Sequence, residues 1–162
     1  MANSKKIRAI VVTVSNSRTE NDDTSGAALV ELLSGMDAQI VEKIIVSDNF
    51  EDLRQTLYSL TEREDANLIV TTGGTGFSPR DNTPEATRSV IEKEAQGLAE
   101  AMRSETLKKT PMAMLSRGVC GIRGNTLIIN LPGSPNGVSE CFEVIKLVLP
   151  HAINLINGET EH

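Results

Sequence analysis

Aromatic side chains are nearly missing from this sequence of 162 residues, which has no Trp, one Tyr and three Phe. Single-stranded nucleic acid needs rings on which its bases can stack, so that class of ligand is disfavoured first. The same shortage leaves the core to be built from Val, Ile, Leu, Ala and Met. An excess of positive charge is also missing. Sixteen Lys and Arg against 22 Asp and Glu give −6 at neutral pH and a pI near 5.0. A phosphate backbone therefore meets no general attraction, and an anionic ligand has to be held by a local pocket. The two cysteines, Cys120 and Cys141, form no CxxC pair, and the two histidines, His151 and His162, lie near the C-terminus. That pattern argues against a disulfide framework and against Cys/His zinc ligation. No apolar run approaches the roughly eighteen residues of a membrane span, and the N-terminal residues have no long apolar stretch behind them. The expectation is a cytoplasmic protein with neither a membrane nor a nucleic-acid partner.

What is present is the balance of a folded domain: 39% hydrophobic residues, 23% charged and a mean hydropathy of −0.16. The length suits a single domain over residues 1–162. Residues 7–14, 39–46 and 67–72 read as nearly continuous apolar runs, the habit of strands covered on both faces. Between them lie helical patterns. Leu29, Leu32, Leu33 and Met36 recur at three and four after a Thr24-Ser25 capping signal, and Phe50, Leu53, Leu57 and Leu60 do so after Asp48-Asn49. A β-α-β-α-β alternation predicts an α/β fold: a three-layer α/β/α sandwich around a mostly parallel sheet with right-handed crossovers. Further on, Thr83 as N-cap and Pro84 at the first helical position start a helix to residue 91, and another runs over 97–107. A fourth strand spans 126–131. Ser134 and Pro135 then open a last helix carrying Val138, Cys141, Phe142, Ile145 and Val148 on one face, which Pro150 should kink or divide.

Three loops could carry chemistry. Thr72-Gly73-Gly74-Thr75-Gly76 follows the third strand and precedes a helix, where open α/β sheets bind ligands. It is neither GxGxxG nor a P-loop, and it reads equally as a tight turn or as a phosphate cradle. Thr75, Ser78, Arg80 and Asp81 add hydroxyls, a guanidinium and a carboxylate to it. The second loop, residues 116–125, holds Ser116, Arg117 and Arg123, either as anion ligands or as a solvated connector with surface ion pairs. The third is Pro132-Gly133-Ser134-Pro135 at a helix start. Asp48 can cap the following helix, or it can join Asp81 in holding Mg²⁺ with substrate phosphates. Cys120 and Cys141 read as structural, and His151 as a helix surface residue.

The motifs resemble a known family. Residues 72–81 with Thr83-Pro84-Glu85-Ala86-Thr87, then Met114-Leu115-Ser116-Arg117, Gly121-Ile122-Arg123-Gly124 and residues 127–135, are similar in order and spacing to molybdopterin adenylyltransferases of the MogA/MoaB and gephyrin G-domain family. The resemblance implies a homotrimer that adenylates molybdopterin with Mg²⁺ and ATP and releases pyrophosphate. The product would pass to a molybdenum-insertion protein. It also implies that Asp48 and Asp81 are the catalytic carboxylates and Mg²⁺ ligands. Gly73, Gly74, Thr75, Gly76, Arg80, Thr106, Ser116, Arg117, Arg123, Gly133 and Ser134 would then bind substrate. Residues 13–18 and 22–26 look more like the MoaB branch, and Asn82 and Ser47-Asp48-Asn49 depart from the usual residues. The alternative is therefore a non-catalytic molybdopterin-binding or scaffold protein. A binding module for another nucleotide is the reading from residue features alone.

Overall fold

The computed structural model describes residues 6–159, so the expectations about His162 and the first five residues lie outside the described residues. Six strands, β1 (Arg8–Val14), β2 (Gln39–Val46), β3 (Leu68–Thr72), β4 (Lys93–Glu94), β5 (Cys120–Arg123) and β6 (Thr126–Leu131), form one sheet in the order β2-β1-β3-β6-β5-β4. Neighbours among β2, β1, β3 and β6 are parallel, whereas β5 and β4 are joined antiparallel. The helices are α1 (Thr24–Gly35), α2 (Phe50–Thr61), α3 (Thr83–Val90), α4 (Gln96–Leu107), α5 (Pro135–Ile145) and α6 (Leu149–Ile156).

Successive side chains of a strand point to opposite faces, and here each face meets a helical layer. Ala9, Val11, Leu68, Val70, Leu127 and Ile129 pack with Leu29 and Leu33 of α1, Met102 of α4, Phe142 of α5 and Ile153 of α6. Ile10, Val12, Ile69 and Ile128 turn the other way, onto Leu53 and Leu57 of α2 and Ala86 and Val90 of α3. That double burial is why the central strands read as unbroken apolar runs. The expected three-layer architecture is thus present.

Several local expectations are corrected. The cap of α1 is Asp23, whose side chain accepts from the Gly26 amide; Thr24 is already helical. The cap of α3 is Asn82, which leaves Pro84 at the second helical position, and the Thr83 hydroxyl donates instead to the Gly73 carbonyl at 2.9 Å. The cap of α2 is Asn49, not Asp48: its side chain accepts from the Asp52 amide at 3.1 Å. Asn49→Ala should therefore lower stability by about 1 kcal/mol; urea unfolding with an unchanged midpoint would remove the cap assignment. Pro150 divides the last helix, since it has no N–H to give to residue 146. The chain restarts as α6, and Val148, expected on the buried face, falls in the break and is 49% exposed.

β4, β5 and a 3₁₀ turn at Pro111–Leu115 are present beyond the elements expected from sequence. Half of the supposed polar connector is the hairpin β5-β6. Its two-residue turn Gly124-Asn125 uses Gly124 at φ 57°, a left-handed conformation that favours glycine.

Candidate functional site

Parallel pairing brings the loops after β1, β2, β3 and β6 to one edge of the sheet, and antiparallel β5 begins at that same edge. The glycine loop is fixed there by its neighbours. Thr72 Oγ1 donates to the Pro132 carbonyl at 2.6 Å, the Gly73 amide donates to the Leu131 carbonyl at 3.2 Å, and the Arg117 amide donates to the Thr75 carbonyl at 2.8 Å. Gly73 and Gly74 have φ 102° and 71°; a Cβ on Gly73 would lie 2.7 Å from the Val14 carbonyl oxygen, so backbone packs directly on backbone.

Above this loop lies a cleft of about 470 Å³. One wall is apolar, built from Ala99 and Met102 of α4 and from Met112, Ala113 and Leu115 of the 3₁₀ turn. The floor is polar. Of the residues expected from sequence, Gly74, Thr75, Gly76, Asp81, Thr106, Ser116, Gly133 and Ser134 meet in this cleft. The Thr75 hydroxyl makes no hydrogen bond within the described residues, although the residue is 6% exposed. Ser116 Oγ has only a long contact of 3.5 Å with the Gly118 amide. Thr106 Oγ1 donates back to the Met102 carbonyl at 2.6 Å. Ser134 Oγ caps α5 by accepting from the Gly137 amide at 3.0 Å, and Ser25 Oγ of α1 donates to the Gly133 carbonyl at 2.5 Å. Gly73 faces a smaller recess of about 100 Å³ with Thr13, Ser15, Arg18 and Ser25.

Other expected residues are not brought to the cleft. Arg117 braces the glycine loop: Nε donates to the Gly76 carbonyl at 2.8 Å, Nη2 to the Asp81 carbonyl at 2.9 Å, and Nη1 pairs with Glu85 at 2.7 Å. Arg123 is carried by antiparallel β5 to the opposite edge of the sheet. There it lies 4.4 Å over the Tyr58 ring and donates to the Val90 carbonyl at 3.1 Å. Arg80 is exposed beside the cleft. Asp48 is half-buried after β2, with Oδ1 accepting from Asn16 Nδ2 at 2.6 Å and its carbonyl accepting from Asn82 Nδ2 at 3.1 Å.

Asp81 Oδ2 accepts from the Ser78 amide at 2.9 Å and closes the loop, while its other oxygen carries no hydrogen bond within the described residues. The sequence reading did not select Arg103, Asn130 or Glu140, which also line the cleft. Arg103 and Thr106 share a helix face with Ala99 and Met102, a three-and-four spacing that could have revealed them. Asn130 is buried and joins three segments, accepting from the Val119 amide and donating to the hydroxyls of Thr71 and Thr87. Cys141 also borders the cleft, but burial pushes its thiol up to about 11; burial takes Cys120 to about 12. Both are protonated at neutral pH and are poor nucleophiles. Among the described residues no His lines the cleft. The arrangement suits a planar ring against the apolar wall and an anionic group over the glycine loop, with no nucleophile–base pair among the described residues that line it.

Comparison with known proteins shows the family. Residues 10–151 match the model of a probable molybdopterin binding domain. The chain is 46% identical over 153 residues to the molybdenum cofactor synthesis protein cinnamon of Drosophila melanogaster, covering 92% of this chain and 25% of that protein. It spans only a quarter of that relative. It is 42% identical over 139 residues to the molybdopterin adenylyltransferase of Helicobacter pylori strain J99, covering 85% of this chain and 79% of that one. Among solved structures, the molybdopterin biosynthesis enzyme MoaB of Thermus thermophilus superposes with a TM-score of 0.86 at 47% identity, covering 94% of this chain and 97% of the other. With the motif order, the sheet topology and the matched span in agreement, the chain belongs to the molybdopterin-binding domain family of molybdenum cofactor biosynthesis.

Proposed function

We propose that this chain, as a single domain, adenylates molybdopterin with ATP in molybdenum cofactor biosynthesis. An oxygen of the pterin phosphate attacks the α-phosphorus of ATP, the bond from that phosphorus to the β-phosphate oxygen breaks, and pyrophosphate leaves. The carrying observation is the make-up of the cleft: an apolar wall for a heterocycle, glycine amides and hydroxyls for phosphate, and no activated nucleophile among the described residues that line it. Transfer then runs directly between two bound substrates. The chain's task is to align them and to offset the repulsion between their phosphates.

Asp81 and Asp48 are the proposed carboxylates. Magnesium fits their chemistry, because it is bound through one or two carboxylates together with substrate phosphates, and each of these acids keeps one carboxylate oxygen unbonded within the described residues. Bound there, Mg²⁺ would neutralise triphosphate charge. Among the described residues no three acids, cysteines or histidines cluster as a metal cage, so substrate phosphates would supply the rest of the coordination. Thr75 offers its unbonded hydroxyl, and Gly133 and Ser134 bring the start of α5 to the same cleft.

Purified molybdopterin and ATP should give pyrophosphate in stoichiometric amount. A specific observation favours the rival, non-catalytic reading: Asn16 occupies one oxygen of Asp48. Tight molybdopterin binding without pyrophosphate would establish that rival. The proposal extends to a homotrimer in the cytoplasm whose product is handed to a molybdenum-inserting protein; a monomer by light scattering at micromolar concentration would contradict the trimer.

Ser116→Ala tests the pocket. The hydroxyl is held only by a 3.5 Å contact, so its loss should leave stability unchanged. Molybdopterin affinity should fall by roughly 1 to 3 kcal/mol, or about five- to 150-fold, with ATP affinity less affected. Unaltered pterin binding by titration calorimetry would take Ser116 out of the site.

A further inference from the structure

We propose that Arg103, on α4, is the cationic anchor that holds a substrate phosphate in the cleft. The inference deepens the reading above and rests on it. Three charged residues line the cleft among those described: Asp81, Glu140 and Arg103. Two are acidic, in a chain whose net charge is −6. A pocket that accepts phosphoryl groups needs a positive counterpart; of the arginines of the recognised motifs, exposed Arg80 is not part of the cleft lining, and Arg117 and Arg123 are spent elsewhere. All three guanidinium nitrogens of Arg117 are engaged by Glu85 and by the Gly76 and Asp81 carbonyls. Arg123 lies at the far edge of the sheet.

Arg103 is placed differently. It is half-buried, and Nη1 donates to the Gly118 carbonyl at 2.9 Å and, more weakly, to the Ser116 carbonyl at 3.4 Å. Those bonds orient the guanidinium and leave Nε and Nη2 without a partner in the described chain. Among the described residues no carboxylate pairs with it, in contrast to Arg54, Arg63, Arg88 and Arg117, each of which has an acidic partner within 4 Å. A guanidinium is charged throughout the working pH range and presents its donors as a planar fork suited to phosphate oxygens. Thr106, one turn further along the same face, spends its hydroxyl hydrogen on the Met102 carbonyl, so as placed it offers phosphate no donor. Arg103 therefore carries the charge, and its two carbonyl contacts also couple phosphate binding to the position of Ser116.

The test separates charge from architecture. Arg103→Gln keeps an N–H donor for the Gly118 carbonyl without the charge, and Arg103→Lys keeps the charge without the fork. Arg103→Met, a neutral chain beside Met102 and Met112, is a second uncharged variant should Gln fold poorly. Binding of molybdopterin and of inorganic pyrophosphate would be measured by calorimetry from low to high salt, with steady-state kinetics alongside. Either neutral variant should weaken both ligands at least about tenfold at low salt, flatten the ionic-strength dependence and raise KM more than it lowers kcat. Lys should restore part of the affinity together with the salt dependence. Neutral variants that bind like wild type, or that match Lys with an unchanged salt slope, would reduce Arg103 to a structural brace and overturn the proposal. So would a wild-type protein that binds neither probe. Wild-type protein that binds both probes without releasing pyrophosphate from ATP would instead sink the adenylation reading, and the comparison of Gln, Met and Lys would still decide Arg103.

Discussion

Asp81→Asn is expected to lower the rate of pyrophosphate release by about a hundredfold, the scale on which a single electrostatic group of a preorganised site acts, while leaving the fold as it is. The local geometry makes this substitution discriminating. The structural duty of Asp81 is to accept the Ser78 amide at 2.9 Å, and the carbonyl oxygen of Asn can take over that bond. The backbone carbonyl of Asp81 accepts from Arg117 Nη2 and is untouched by the change. Only the negative charge at the cleft is removed. If that charge holds Mg²⁺ over the triphosphate, the variant should need more magnesium, and raising its concentration should recover part of the rate at saturating molybdopterin. Asp48→Asn should have the smaller effect, because Asp48 does not line the cleft and Asn16 already occupies one of its oxygens. The cap of α2 belongs to Asn49, so a rate loss at Asp48 cannot be blamed on a lost cap. An Asp81→Asn protein with near wild-type turnover and an unshifted magnesium dependence would end the metal role.

The parallel half of the sheet was legible because its strands are buried on both faces, which writes a continuous apolar run into β1, β3 and β6. The helices were legible from the three-and-four spacing of Leu, with caps and prolines near their ends. The antiparallel half was not. Cys120-Gly121-Ile122-Arg123 has neither a long apolar run nor clean alternation, and β4 is only two residues long with neither residue buried. The Gly124-Asn125 pair was the available hairpin signal. At the site, short motifs located the residues of the glycine loop, because a loop brings consecutive residues to one place. Arginines were harder to place. Whether a guanidinium meets ligand or protein depends on remote segments: Glu85 and Gly76 for Arg117, Tyr58 and Val90 for Arg123, Gly118 for Arg103. Sequence spacing does not carry that information, and sheet direction does.

Replacing Lys43 by Met should lower stability by about 3 to 5 kcal/mol, the usual consequence of stripping a buried charge of its partner. That corresponds to roughly 6 to 20 °C in Tm for a chain of this size. Lys43 on β2 lies 2.8 Å from Asp23, whose side chain is wholly buried; Asp23 also accepts from the Thr13 hydroxyl at 2.7 Å and from the Gly26 amide at 3.0 Å. Burial on its own raises the Asp23 carboxyl, but the hydrogen bonds from Lys43, Thr13 and Gly26 outweigh it and hold it below its ordinary value of 3.8. The folded chain therefore binds this proton less readily than the unfolded one. The resulting stabilisation is complete above pH ~4 and is lost as pH falls through the lower, folded value. For Lys43, burial pulls the ammonium down while Asp23 and Glu20 push it above its ordinary 10.5, so its share is complete below that value and is lost only as pH rises beyond it. Both contributions are intact at neutral pH. In Lys43→Met the burial cost at Asp23 is no longer offset by the ammonium, and protonation relieves it. The stability gap between wild type and variant should therefore be widest near pH 7 and shrink as pH approaches 4. Asp23→Asn should cost less, because Asn can still accept the Gly26 amide at the N-cap of α1 and Lys43 keeps Glu20 at 3.2 Å. Urea unfolding of the three proteins between pH 4 and 8 tests this directly. A Lys43→Met gap that stays constant across that range, or that widens toward acid, would mean that the ion pair does not stabilise the junction between α1 and β2.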